Sequence, residues 1–531
     1  MVIDRLPPWI EVTSKYISFM TTCFARNLSL LALLLAAVCG HAEPARQAAS
    51  ADRGAQRPNF VFVFGDDINK DSLPIYGGKD IATPNLDRLA AEGLVFDHAY
   101  ASSPVCAPFR QELYSGRTPW RTRTFMNHSW SLPDPALKGE QAQIRSLPIA
   151  LGELGYEVAL VGKMHFGPNK AYPFRYLGDF KNNDGAMKRI RPFLKEMADA
   201  GKPFCLIVAS HDGHAPYTLP ADEIKPAADL YLFPQWLDTD AMRADLRKQY
   251  AEIESLDTLL GQVDQLLQRN GLYEDTLLMF SSEQGSAFPF GKWTCYADGL
   301  GTALVARWPG VIKEGTRTDV LVGISDVTPT FVTAAGGKIA PTDYDGFPLQ
   351  PVFAGDETPL RSYVYGQATN RGLNNAEEVV YPIRVIRSKD YSLIWNPNAD
   401  EGVTYNTISR FAYELYSTNG AARVPARKED EPTVTMVREY YLEDGHSAED
   451  AATVTRMFKR PQWEFYDLRK DPDELHNLYG DPAYAQTIAT MKKALLAFLT
   501  RYGDENPMAT ELAISNNNPH HGKKKSGDED D

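Results

Sequence analysis

The sequence predicts an α/β protein: a large, mainly parallel sheet covered by helices on both faces, plus a smaller C-terminal α+β subdomain with a short antiparallel sheet. Three observations predict it. Between residues 58 and 350, apolar runs alternate with helical stretches. Polar residues able to do chemistry cluster directly after four of those runs. Beyond residue 350 the runs become short and alternate apolar with polar. A run that is apolar throughout suits a strand buried on both faces, whereas alternation suits a sheet with one wet face.

With 531 residues, 43% hydrophobic and 23% charged, the composition is globular and excludes a disordered, collagen-like or coiled-coil chain. Lys plus Arg number 55 against 69 Asp plus Glu, a net charge of −14. That balance argues against non-specific nucleic-acid binding, which rests on neutralising phosphates. It still allows a small basic pocket for one anionic group.

The chain opens with a predicted extension and signal peptide over 1–42. Met20 reads as the start, Arg26 as the positive flank, Leu28 to Val38 as the apolar stretch, and Gly40-His41-Ala42 as the small-residue cut. The apolar stretch falls short of the roughly twenty residues of a spanning helix, and no second span follows. The mature chain is expected to be periplasmic or secreted. Val38 before Cys39 argues against a lipoprotein. Cys23 and Cys39 leave with the signal, so Cys106, Cys205 and Cys295 remain, too few for a disulfide scaffold.

After a polar linker over 43–57, Asn59 to Phe64 is the first predicted strand. Glu157 to Val161, Phe204 to Ala209, Thr276 to Phe280 and Ala303 to Arg307 follow. Helices are expected over Met187 to Ala200 and Ala241 to Arg269, the latter stopped by Asn270-Gly271. These elements define a catalytic domain over 58–350. A C-terminal subdomain over 351–510 is expected to hold strands at Tyr363 to Tyr365, Ile383 to Ile386 and Tyr391 to Trp395. A helix from Ala483 to Arg501 packs on them, and 511–531 is expected to be a disordered tail.

Asp66-Asp67 follow the first strand, Lys163 and His165 the second, His211 and His214 the third, and Glu283-Gln284 the fourth. Ligands of open α/β sheets bind outside the carboxyl ends of the strands, so four such coincidences point to one composite site. Asp66, Asp67, Glu283 and Gln284 offer oxygen donors, which suit a hard cation such as Ca²⁺, with Mg²⁺ second, over Zn²⁺. Either pair alone reads better as a solvated loop or helix cap, and it is both pairs at strand ends that favour a metal. Cys106 precedes Pro108 and a helix expected from Phe109 to Ser115, which puts the cysteine at a helix N-terminus that favours an anion.

The ordered motifs resemble a formylglycine-dependent sulfatase of the alkaline phosphatase superfamily. The resemblance rests on Asp66-Asp67, on Cys106-x-Pro108-x-Arg110 with Ser115-Gly116-Arg117, and on Gly162-Lys163-Met164-His165. Glu283-Gln284-Gly285, Lys292, Trp308-Pro309-Gly310 and Phe465-Tyr466-Asp467-Leu468 extend it to about residue 480. His211-Asp212-Gly213-His214, Phe288 to Lys292, Tyr381 to Arg384 and Trp463 to Asp467 look most like the heparan N-sulfatase (N-sulfoglucosamine sulfohydrolase) branch. Two departures stand out: Phe109 replaces the usual serine, and Glu283-Gln284 replaces the usual Asp-Asn or Asp-His pair.

The resemblance implies that a maturation enzyme converts Cys106 to formylglycine, whose hydrate attacks sulfur from one hydroxyl and expels sulfate with the other. It implies Asp66, Asp67, Glu283, Gln284 and the modified Cys106 as the metal site. Arg110 would hold the diol or the ligand carboxylates, Lys163 and Lys292 would neutralise sulfate oxygens, His214 would protonate the leaving group, and His165 would orient the diol or assist elimination. His128 and Arg384 are further candidates for contacting the sulfated saccharide. Competing readings are a phosphate or phosphonate ester hydrolase on the same fold, and a non-catalytic glycan-binding relative.

Overall fold

The computed structural model describes residues 57–127, 143–369, 380–399, 415–420, 431–442 and 444–517. The signal segment and the linker as far as residue 56 therefore lie outside the described residues. In chain order the strands are β1 (Asn59–Phe64), β2 (Leu94–Phe96), β3 (Ala99–Tyr100), β4 (Glu157–Gly162) and β5 (Arg175–Gly178). Next come β6 (Phe204–Ala209), β7 (Thr276–Ser281), β8 (Leu304–Arg307), β9 (Thr316–Thr318) and β10 (Val322–Gly323). The C-terminal strands are β11 (Val364–Ala368), β12 (Ile383–Arg387), β13 (Tyr391–Trp395) and β14 (Trp463–Asp467).

An eight-stranded sheet runs in the order β5-β4-β6-β1-β7-β8-β2-β9. It is parallel except at β8, which runs against both of its neighbours. The four strands that precede the candidate residues are therefore adjacent: β4, β6, β1 and β7. They are also in register. Gly162 aligns with Ala209, Ala209 with Phe64, and Phe64 with Ser281. All four strands thus release their loops from one row.

Alternation along β1 explains why both faces must be covered. Val61 and Val63 join the apolar core beneath the helices Asn183–Ala200 and Asp240–Arg269. Phe60, Phe62 and Phe64 join the core on the other face, with Phe109, Leu113 and Phe331. Phe60 stacks on Phe331 with ring centroids 4.6 Å apart. No described helix is long and apolar enough to cross a membrane.

The C-terminal strands form a four-stranded antiparallel sheet in the order β11-β12-β13-β14. The helix Ala485–Arg501 packs Ile488, Met491, Leu495 and Leu499 against it. Two of the boundaries that differ from the sequence-based expectation bear on the site and on the C-terminus. The helix expected from Phe109 begins at Cys106, because Pro108 fits in its first turn. Residues 511–517, expected to open the tail, lie in a helix spanning Pro507–Asn517 that carries a fully buried Glu511, and the rest of that span lies outside the described residues.

Arg384 explains that second difference and corrects its own expected role. It lies on β12 with no exposed surface, paired with Asp504 Oδ2 at 2.6 Å and Glu511 Oε1 at 3.0 Å. A saccharide cannot reach a guanidinium enclosed in this way, so Arg384 ties the C-terminal helix to the sheet. Removing one partner of a buried ion pair leaves an uncompensated charge in a dry interior. Asp504→Ala is expected to destabilise the fold by about 3–5 kcal/mol, read by denaturant unfolding. A change below about 1 kcal/mol would show that the pair is not what holds this helix.

Candidate active site

Cys106 is the first residue of the helix Cys106–Ser115, behind an extended Val105. The Asn127 side chain accepts from the next backbone N–H, that of Ala107, at 3.2 Å. Cys106 Sγ lies 3.3 Å from Asp66 Oδ1, 3.8 Å from Asp67 Oδ1 and 3.5 Å from Gln284 Nε2. Residues from the ends of β1 and β7 and from a helix N-terminus therefore meet at one sulfur. Phe109 is turned away from it, buried against Phe64 with ring centroids 6.0 Å apart. The ring that replaces the usual serine thus packs into the apolar core on that face of the sheet.

Cations interleave with the carboxylates. Lys163 Nζ sits 2.9 Å from Asp66 Oδ2, and Lys292 Nζ sits 2.7 Å from Asp67 Oδ2. Arg110 reaches Asp66 Oδ2 at 3.3 Å and Glu283 Oε1 at 2.7 Å, and donates to the Lys163 carbonyl at 2.9 Å. Lys292 Nζ also lies 3.2 Å from His214 Nε2. His214 Nδ1 is 2.5 Å from the Ala215 carbonyl, which fixes the proton on Nδ1 and leaves Nε2 facing the lysine.

These contacts set the charges. Burial pushes the Cys106 thiol well up, and the Asp66 and Glu283 carboxylates push it further. The thiol is therefore neutral and is a poor nucleophile as it stands. Burial likewise raises the Glu283 carboxyl well above its usual range, despite Arg110. At Asp66 burial is the largest single influence, but the Lys163 ammonium, the Glu283 hydrogen bond, His214 and Arg110 together outweigh it and hold that carboxyl low. Burial and then the Lys292 charge lower His214, so its ring is neutral near pH 7.

The donor set fits a hard divalent cation. Asp66, Asp67, Cys106 and His214 offer ligand atoms within 4.8 Å of one another. Glu283 Oε2 and Gln284 Oε1 are buried beside them without a hydrogen-bond partner. A buried acceptor left unpaired is unfavourable, and a cation satisfies it directly.

Residues 58–337 match the Sulfatase family, more than half of the chain. The chain belongs to the sulfatase family. Residues 285–407 and 443–501 match the C-terminal family of N-sulphoglucosamine sulphohydrolase, as the motifs near Arg384 and Tyr466 implied. An ulvan-active sulfatase of Formosa agariphila is 30% identical over 456 residues, covering 85% of this chain and 81% of the relative. Human N-sulphoglucosamine sulphohydrolase is 26% identical over 489 residues, covering 83% and 89%. Among solved structures, BT4656 in complex with its substrate D-glucosamine-2-N,6-O-disulfate shares the fold with a TM-score of 0.61 at 19% identity, covering 85% and 99%. Phosphonate monoester hydrolase of Agrobacterium radiobacter shares it with a TM-score of 0.58 at 18% identity, covering 84% and 96%.

In this sulfatase Asp66, Asp67, Cys106, Arg110, Lys163, His214, Glu283, Gln284 and Lys292 converge. His165 is half-buried two residues beyond Lys163, in a left-handed backbone conformation (φ 39°). His211 points elsewhere and pairs with Asp179 at 2.9 Å. His128 lies outside the described residues. Gln249 is a residue that sequence reasoning missed. From the helix Asp240–Arg269 its buried amide donates to the Asp67 carbonyl at 2.9 Å and the Gly213 carbonyl at 3.2 Å. It ties the loop of Asp66 and Asp67 to the loop of His214. The available signal was a polar residue on the stripe of Met242, Leu246, Tyr250 and Ile253.

Gln249→Leu is expected to lower kcat by about 10- to 100-fold while KM changes little, because both loops lose their common anchor. Unchanged kcat, in a variant that melts at a lower temperature, would assign Gln249 a purely structural role.

Proposed function

We propose that this sulfatase hydrolyses a sulfate ester or sulfamate on a sulfated saccharide, acting outside the cytoplasm after removal of a signal peptide. The observation that carries this reading is the position of Cys106, at a helix N-terminus with its sulfur 3.3 Å from Asp66 and flanked by Lys163 and Lys292. The sulfated saccharides named for BT4656 and for the human and Formosa agariphila relatives support the substrate class. The motif around Cys106 and Arg110 supports conversion to formylglycine by a maturation enzyme. Formylglycine would supply, as its hydrate, a hydroxyl to attack sulfur and a second hydroxyl to expel sulfate afterwards.

The chain's own groups define the rest. Asp66, Asp67, Glu283 and Gln284, with the modified Cys106, would hold a divalent cation, Ca²⁺ before Mg²⁺, which lowers the pKa of a bound hydroxyl. Lys163 and Lys292, both nearly enclosed, present fixed positive charge to the sulfate oxygens in a dry site. Arg110 locks Asp66 against Glu283. His214 is the more open of the group, with 22% of its side chain exposed, and so borders the saccharide. Its Nε2, which faces Lys292 Nζ at 3.2 Å, is the atom that, once protonated, delivers a proton to the departing oxygen or nitrogen. His165 orients the reacting hydroxyls.

Production beside a formylglycine-generating enzyme is expected to yield a Cys106 peptide whose mass shows the thiol replaced by an aldehyde. His214→Ala is expected to lower kcat by about 10²–10⁴-fold with the fold intact, and Cys106→Ala to abolish turnover. Full activity of Cys106→Ala would overturn the nucleophile assignment. Turnover of a phosphonate ester above that of the sulfate ester would favour the phosphonate reading instead.

A further inference from the structure

A second cleft, of about 980 Å³, opens between the far end of the Cys106–Ser115 helix and the helix Ala485–Arg501. The ten residues of the first helix rise about 1.5 Å each, which puts roughly 15 Å between Cys106 and this end. The cleft walls carry Arg121, Arg361 and Arg501, with the rings of Phe347, Tyr363 and Tyr502.

Among the lining residues Asp345 is the one carboxylate, and its oxygens are already engaged. It accepts from Thr118 N at 2.8 Å, Thr118 Oγ1 at 2.9 Å, Tyr502 Oη at 3.1 Å and Arg121 Nη1 at 3.2 Å. Arg361 pairs through Nη2 with the buried Asp326 and lies over the Phe347 ring at 4.8 Å. Its Nε is buried and has no hydrogen-bond partner. Phe347 is 44% exposed, and Arg501 is exposed on the last turn of its helix. Arg121 is committed, its Nη2 also donating to the Thr342 carbonyl at 2.6 Å, so what the cleft offers an anion is the exposed Arg501 guanidinium and the Arg361 Nε beside the exposed edge of Phe347, on a chain whose net charge is −14.

We propose that this cleft is an accessory binding site for an anionic saccharide segment, separate from the catalytic centre. Guanidinium groups take sulfo and carboxylate groups in a fixed geometry. Exposed rings suit the apolar faces of sugar rings, and pockets of this kind combine aromatic walls with a few placed polar groups. The saccharide class rests on the function proposed above, whereas the preference for an anion rests on the arginines. A binding site of this kind reconciles an acidic protein with a polyanionic substrate by concentrating positive charge locally.

The test compares Cys106→Ala with a derivative that also carries Phe347→Ala and Arg501→Glu, by calorimetric titration. The probes are a heparin-derived hexasaccharide and an ulvan-derived oligosaccharide of similar length, each with its desulfated counterpart. At least one sulfated probe is expected to bind the parent and to bind the derivative about tenfold more weakly. Weakening confined to the sulfated form assigns the site to sulfo groups, and equal weakening of the desulfated uronate form assigns it to carboxylates. Affinities within about twofold of each other, or no binding of either probe to the parent, would overturn the proposal. With Cys106 intact, Phe347→Ala/Arg501→Glu is expected to leave aryl sulfate turnover unchanged. Absent turnover in both forms would count against the catalytic reading and leave the binding comparison standing.

Discussion

The shared register of four neighbouring strands is the constraint on which the active site depends. β4, β6, β1 and β7 stop at Gly162, Ala209, Phe64 and Ser281, which lie in one row across the sheet. Their loops therefore leave from one line, and the first polar residues of each are brought together before any side chain is chosen. The close approach also dictates two glycines. A Cβ at Gly162 (φ +98°) would lie 1.9 Å from the Ala209 carbonyl oxygen. One at Gly213 (φ +101°) would lie 2.2 Å from that of Asp66. Neither loop could pack so closely with a larger residue there.

Crowding three carboxylates at a buried point is unfavourable unless opposite charge is built in with them. Arg110, Lys163 and Lys292 supply it, each from a different part of the chain. The site thus has fixed positive groups already oriented, and they need no rearrangement when an anion arrives. Strain supports the same arrangement. Asp67 holds φ 54°, and Phe290 and Trp293 on either side of Lys292 hold φ 63° and 71°, a conformation unusual outside glycine. Asn69 accepts from the Ser286 amide at 2.7 Å and so fastens the β1 loop to the loop that carries Lys292.

Much of the sheet and most of the site were legible because their signals are local. Five apolar runs read as strands became β1, β4, β6, β7 and β8, and residues behind four of them, though not His211, became the cluster around Cys106. The reversed direction of β8 was not legible, since a strand apolar at every position carries no mark of which way it runs. The two- and three-residue strands β2, β3, β9 and β10 were too short for any period to show. Arg384 misled because its sequence neighbours resemble the N-sulfatase branch and a lone arginine there reads as a partner for a glycan acid group. Its partners, Asp504 and Glu511, lie more than a hundred residues away and show only in three dimensions. Gln249 went unseen for the same reason, its partners being backbone carbonyls of distant loops.

The proposed convergence of Asp66, Asp67, Glu283 and Gln284 on one cation is tested most directly by calcium titration of the purified, chelator-treated protein, followed by calorimetry. A single saturable site is expected, lost in Asp67→Asn and in Glu283→Gln, with circular dichroism unchanged in both variants. Saturable binding that survives both substitutions, or no binding at all to the parent protein, would contradict it.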